Sequence, residues 1–185
     1  MDNRIRRVVT THDAQGKAVV LFDGAAPNVK VRKVGGFVST LLWTLDTAPA
    51  RYASSEDFGA AAIGTAPLPR GAAFRVVDFP PLAAEPSAAE QRRLLDEMAV
   101  ARHDANAEAP RHAFTHRTKS VDFAVVVAGE IDMLLDDTEV HLRAGDVVVQ
   151  QATNHAWVNR GTETCRIAFV LIDAEEPAAW RQHRH

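Results

Sequence analysis

Apolar residues in this chain recur mostly in alternation with polar ones, in short runs. "RRVVTTHDAQGKAVVLFDG" reads as two extended pieces folded about Asp13-Ala14-Gln15-Gly16, and "GGFVSTLLWTL" as a third, apolar on both faces and so more deeply buried. "AAFRVVDFPP" predicts one more strand, stopped by Pro80 and Pro81, which lack the backbone donor a strand requires. Only one segment has helical period. Over 87–104, Leu94, Leu95, Met98 and Ala101 fall on one stripe, and Ser87 stands as N-cap with Glu90 three residues on. That predicts a helix of about four turns, with Pro110 blocking any continuation. From Arg117 to Asp173 the alternation becomes dense. "SVDFAVVVA", "EIDMLLD", "EVHLR", "DVVVQ", "HAWVN" and "CRIAFVLID" are divided by Gly129, Asp136-Asp137, Gly145, "ATN" and Arg160-Gly161. Strands and turn formers at such regular intervals predict an all-β barrel or sandwich rather than alternating β/α units.

Parity along a strand decides which side chains meet. His116, Thr118 and Asp122 share even parity with Ala124 and Val126, so all face one space if the segment is extended from 116 onward. Beyond the polar hinge "QQATN", His155, Trp157 and Asn159 share a face of their own. His141, opposite in parity to Val140 and Leu142, reads as a surface residue; His12 in a turn and His103 at a helix end have equally ordinary places. Two imidazoles and a carboxylate on one inner wall are nitrogen and oxygen donors suited to iron, manganese, zinc, nickel or copper. The same residues also read as separately satisfied polar groups in a wet barrel mouth, and periodicity alone leaves both readings open.

Composition narrows the field. A chain of 185 residues fits one domain with a substantial core. With 46% hydrophobic residues and a formal charge of −3, neither disorder nor an electrostatic hold on nucleic acid is expected. The helical stretch "EQRRLLDEMAV" has no excess of basic residues and no helix-turn-helix neighbour, which points away from DNA and toward a small-molecule substrate or ligand. Cys165 is the only cysteine, so no internal disulfide or thiolate zinc site is available; a packing role and a cytoplasmic setting are expected. No leader-like apolar region and no bilayer-length run occurs, so no membrane partner is expected.

The spacing from His116 onward resembles that of the cupins. The first cupin motif has His-x-His, a glutamate three or four residues later and a glycine seven beyond; "HRTKSVDFAVVVAGE" matches it in frame, with Asp122 at the glutamate position and Gly129 at the glycine. The second has glycine, a Pro-x-Gly turn and His-x-x-x-Asn; "GDVVVQQATNHAWVN" matches with Gly145, His155 and Asn159. The resemblance implies a cupin-type jelly-roll barrel over 110–174, with an N-terminal strand arm over 1–82, the helix over 87–104 and a polar tail over 175–185. It implies that His116, Asp122 and His155 hold a divalent metal ion (iron, manganese, zinc or nickel). Thr118, Gln151 and Trp157 would line the pocket, and Gly129, Gly145 and Asn159 would be structural. Three departures bear on the metal. Thr118 replaces the second histidine, Asp122 is one methylene shorter than glutamate, and "QQATN" replaces the Pro-x-Gly turn.

A three-ligand centre leaves up to three open positions, enough for a chelating substrate or for substrate plus dioxygen. The expected function is therefore a metalloenzyme performing redox-neutral lyase, decarboxylase or isomerase chemistry on a small oxygenated substrate. Iron in the same ligands would permit dioxygenase chemistry, and a non-catalytic ligand-binding barrel is the alternative. Open sheet edges predict a homodimer in which the "FVSTLLWTL" run pairs with or covers an edge across a two-fold axis.

Overall fold

The computed structural model describes residues 4–99 and 112–175. β1 (Arg6–His12) and β2 (Ala18–Ala25) form a hairpin, a two-stranded sheet of its own. Its turn is set by Asp13, whose Oδ1 accepts from the backbone N–H of Gln15 and Lys17, and by Gly16 at φ 76°. β3 (Asn28–Val31), β4 (Val38–Leu45) and β5 (Ala72–Phe79) follow, with one 3-10 turn at Phe58–Ala60 between the last two. The six strands expected in the second half are all present: β6 (Ser120–Ala128), β7 (Glu130–Leu134), β8 (Glu139–Arg143), β9 (Val147–Gln151), β10 (Ala156–Val158) and β11 (Cys165–Asp173).

These strands build two facing sheets, one ordered β3-β4-β5-β11-β6-β9 and the other β10-β7-β8. The core between them joins Phe79, Val126, Ile167 and Phe169 of the large sheet to Ile131, Met133, Leu142 and Trp157 of the small one. The segment expected as an arm thus contributes three strands to the main sheet. β5 pairs with β11 over Ala72–Ile172 to Phe79–Cys165, and β4 is flanked on both sides, by β3 and β5. β4 therefore has no free edge to offer a second copy, and the dimer contact expected through "FVSTLLWTL" is not open to it.

The helix α1 (Ala88–Met98) has eleven residues, about three turns rather than four. Its N-terminus is a capping box: Ser87 accepts from the Glu90 N–H while the Glu90 carboxylate accepts from the Ser87 N–H. It stops because Ala99 turns left-handed at φ 52°. Ala101 and His103, expected near its end, lie outside the described residues. Leu94, at 1% exposure, packs with Val34, Phe114, Ala156 and Val158, seating α1 across the end of the barrel where His155 emerges.

Candidate functional site

The two predicted imidazoles meet for a backbone reason. His116 and His155 form an antiparallel β-bridge, each N–H donating to the other's carbonyl at 3.0 Å. Directly opposed residues of such a pair project to the same side, and here the ring centroids lie 4.5 Å apart. Each ring is held from behind. His116 Nδ1 lies 2.8 Å from the Phe114 carbonyl, and His155 Nδ1 lies 3.0 Å from the Thr153 carbonyl and 2.9 Å from the Gln150 carboxamide. A proton on His116 Nδ1 serves the Phe114 carbonyl and leaves its Nε2 lone pair for the cavity, whereas His155 Nδ1 meets an acceptor, the Thr153 carbonyl, and a donor, the Gln150 amide nitrogen, so its tautomer sets whether its Nε2 presents a lone pair or a proton. The "QQATN" segment that carries His155 is pinned rather than hinged. Ala152, left-handed at φ 52°, donates its N–H to Ser120, and Asn154 reaches Asp136.

Asp122 faces the same cavity but turns elsewhere. The Ser120 hydroxyl donates to its Oδ1 at 2.5 Å and lies 2.9 Å from Thr118 Oγ1, so Thr118, Ser120 and Asp122 form a polar file along one face of β6. Among the described residues no group of three His, Cys, Asp or Glu side chains gathers closely enough to hold a metal ion. His116 and His155 thus fit as two donors, while the aspartate, short by one methylene and engaged by Ser120, does not join them.

The remaining predicted positions divide. Trp157, 6% exposed, lines the cavity and packs edge-on against His155, and Thr118 lines it too. Gln151 does not: it is exposed, and its neighbour Gln150 is the buried one, since Gln150 is the register partner of inward-facing Asp122. Asn159 is a loop clamp, donating to the carbonyls of Phe79 and Glu163 and accepting from the Gly161 N–H. Gly129 and Gly145 both sit at positive φ, 74° and 98°. His141 is exposed, its Nδ1 2.7 Å from a carboxylate oxygen of Asp132. Cys165 is fully buried, and burial, followed by Asp78 and Glu130, pushes its thiol up to about 11.

The cavity has a volume of about 90 Å³, and its walls are largely apolar, with Phe37, Phe79, Phe169 and Leu171 among them. Burial governs the charges inside. It raises the Asp122 carboxyl to about 6, against the pull of the Ser120 hydrogen bond and of Arg75. It lowers His155 to about 3, helped by the neighbouring His116, and lowers His116 likewise. Both rings are therefore neutral at pH 7. Two charged cavity residues passed unnoticed in the sequence, Arg32 and Arg75, each buried. Arg75 could have been found, because in "AAFRVVDF" it shares inward parity with Ala73, Val77 and Phe79.

Two facing antiparallel sheets with a bridged pair of histidines lining the cavity are the arrangement of a cupin barrel. A family model described as a cupin domain matches residues 100–172. The phomopsin biosynthesis cluster protein D of Diaporthe leptostromiformis is 31% identical over 178 residues, covering 91% of this chain and 78% of that protein. The cupin-domain-containing oxidoreductase fogC of Aspergillus ruber is 27% identical over 181 residues, covering 94% and 75%. The Schizosaccharomyces pombe Cnp3 cupin domain overlays with a TM-score of 0.45 at 11% identity, covering 97% of this chain and 93% of that one. The chain belongs to the cupin family and is homologous to fungal cupin-domain oxidoreductases.

Proposed function

We propose that this chain is an enzyme whose active site is the cavity at the His116–His155 pair, and that it moves a proton on a small, mostly apolar substrate with an enolisable carbonyl. The observation that carries this reading is the pair of buried imidazoles, tied at Nδ1 and free at Nε2. In the step we propose, a C–H bond next to the carbonyl breaks, its proton passes to one Nε2, and the electron pair moves into the enolate. The N–H bond then breaks in one of two ways. In a conjugated dienolate the electron pair takes the proton at the γ carbon, which is isomerisation. Alternatively the enolate pair forms a C=C bond as the bond to a β substituent breaks and the departing group takes the proton, which is a lyase step. Burial holds the rings neutral because it penalises the cation; an enolate forming beside a ring raises its proton affinity when the proton must transfer. Only one ring can be charged at a time, since two cations at 4.5 Å between centroids repel strongly. The oxidoreductase activity named for fogC would in this chain require an electron acceptor, dioxygen or a cofactor, beyond the described side chains.

Phenylpyruvate, aromatic and enolisable, is a suitable probe. Exchange of its benzylic protons in deuterated water, followed by proton NMR, is expected to be about 100-fold faster with the protein than with His116→Gln or His155→Gln, the usual scale of general acid–base help. Equal rates for protein, variants and buffer would remove the reading. The second reading is a divalent ion held by the two free Nε2 atoms, with substrate or water oxygens completing its shell. It is favoured by those two neutral donors and opposed by the lack of a third among the described residues. One equivalent of metal in protein purified without chelator or nickel resin, absent from His155→Ala, would move the assignment to it.

A further inference from the structure

The cavity holds an imbalance of charge that the histidine chemistry leaves unused. Arg75 rises from β5 into the space between the sheets and is 6% exposed. One of its N–H groups donates to the Gly64 carbonyl at 2.9 Å, but its buried Nε has no hydrogen-bond partner among the described residues. No carboxylate among the described residues comes within ion-pairing distance of it. A guanidinium has five N–H donors in a planar fork, and an unsatisfied one in a buried site is a standing cost that a bound acceptor removes. Arg32 lines the same cavity, 9% exposed, and donates to the Glu97 carbonyl at the C-terminal turn of α1, with the Glu97 carboxylate 3.9 Å away. Lys30, its ammonium on the Ile63 carbonyl, adds a third positive charge close to both. Among the described residues the one carboxylate lining this space is Asp122, which the Ser120 hydroxyl already engages.

We infer that Arg75, with Arg32 behind it, anchors an anionic oxygen of the ligand, so that the substrate class is a small aromatic or otherwise apolar acid with its anion at Arg75. The inference rests on the reading of this cavity as the active site and deepens it. A carboxylate is the group that fits: it accepts two parallel N–H bonds from a guanidinium fork, and Phe37, Phe79 and Phe169 give the same cavity apolar walls. Arg75 is then a specificity-determining residue, with the reacting carbon placed against the imidazoles.

Benzoate and benzamide, nearly equal in shape and differing in charge, separate the anchor from the walls. By titration calorimetry the protein is expected to bind benzoate at least 10-fold more tightly than benzamide. Arg75→Met, which keeps the apolar length of the stem, is expected to erase that preference and leave benzamide binding unchanged; Arg75→Lys is expected to restore part of it. Arg32→Met, expected to weaken benzoate about 3-fold, carries the test if Arg75→Met does not fold. Equal binding of the two ligands, or a preference that survives both methionine variants, would overturn the inference. His155→Gln distinguishes the two levels: benzoate binding that persists in it, together with unaltered phenylpyruvate exchange, would keep the anchor and discard the proton-transfer reading.

Discussion

At the scale of single residues, burial rather than pairing sets the chemistry, and it acts with opposite sign on two neighbours. His155 falls to about 3 from 6.5. The unfolded chain takes up a proton below about pH 6.5 that the folded one refuses, so its contribution is full above that pH and is lost as pH falls toward 3. Asp122 rises from 3.8 to about 6. Between those values the folded state keeps a proton the unfolded state has released, so its contribution is full below 3.8 and is lost as pH rises through 6, by about 3 kcal/mol for a shift of that size. In the overlap the two slopes offset each other. Urea titrations from pH 4 to 8 are expected to show Asp122→Asn gaining stability over the parent as pH rises, and His155→Gln losing less than the parent as pH falls. Parallel curves for parent and variants would contradict both assignments. The common wall of His116, Thr118 and Asp122 was legible because they share even parity, whereas the meeting of His116 with His155 followed from the cupin spacing and not from parity. Gln151 was misread because a two-residue glutamine run offers both parities, and only the register with Asp122 selects Gln150.

At the scale of elements, the turns matter as much as the strands. Gly129 joins β6 to β7 at φ 74°, and a Cβ there would stand 2.8 Å from the Thr164 carbonyl oxygen and 2.9 Å from the Cys165 Cα. Gly145 joins β8 to β9 at φ 98°, with open space where a Cβ would be. Both substitutions to alanine incur left-handed strain of about 1–2 kcal/mol, but only Gly129→Ala also forces backbone apart. Chemical denaturation is expected to show Gly129→Ala as clearly the costlier, and equal losses would mean that the β6–β7 turn does not press on the start of β11. The strands around these turns were readable because each carries clear alternation. β3 was not, since "NVKV" has only four residues. The pairing of β5 with β11 was not legible either. It joins residues about ninety apart, and contacts at that separation leave no trace in local periodicity. Parity alone puts Arg75 on the inward face of β5, but what that face looks onto depends on this pairing.

For the whole molecule, the outer face of the large sheet raises the question of what covers it. Phe74 stands opposite Val170, Val170 opposite Phe123, and Phe123 opposite Val149, making one apolar row across four strands. Val125 and Val147 form the next row and end at β9, the edge of the sheet. Phe123 is 45% exposed, Val149 58% and Val147 64%. A sheet face that meets water normally alternates to polar residues, and contiguous apolar surface of this kind marks an interaction site. A second copy of the chain is the expected cover, because one patch placed at a sheet edge is self-complementary about a two-fold axis. The expectation of a dimer therefore moves from the strand β4, enclosed by its neighbours, to the β6–β9 face. Sedimentation equilibrium at about 10 µM should give twice the chain mass of 20.2 kDa. The double variant Phe123→Lys, Val149→Lys should give the single mass with its β-fold intact, because both side chains point away from the core. A parent protein that sediments at the chain mass would show that this face meets something other than a second copy.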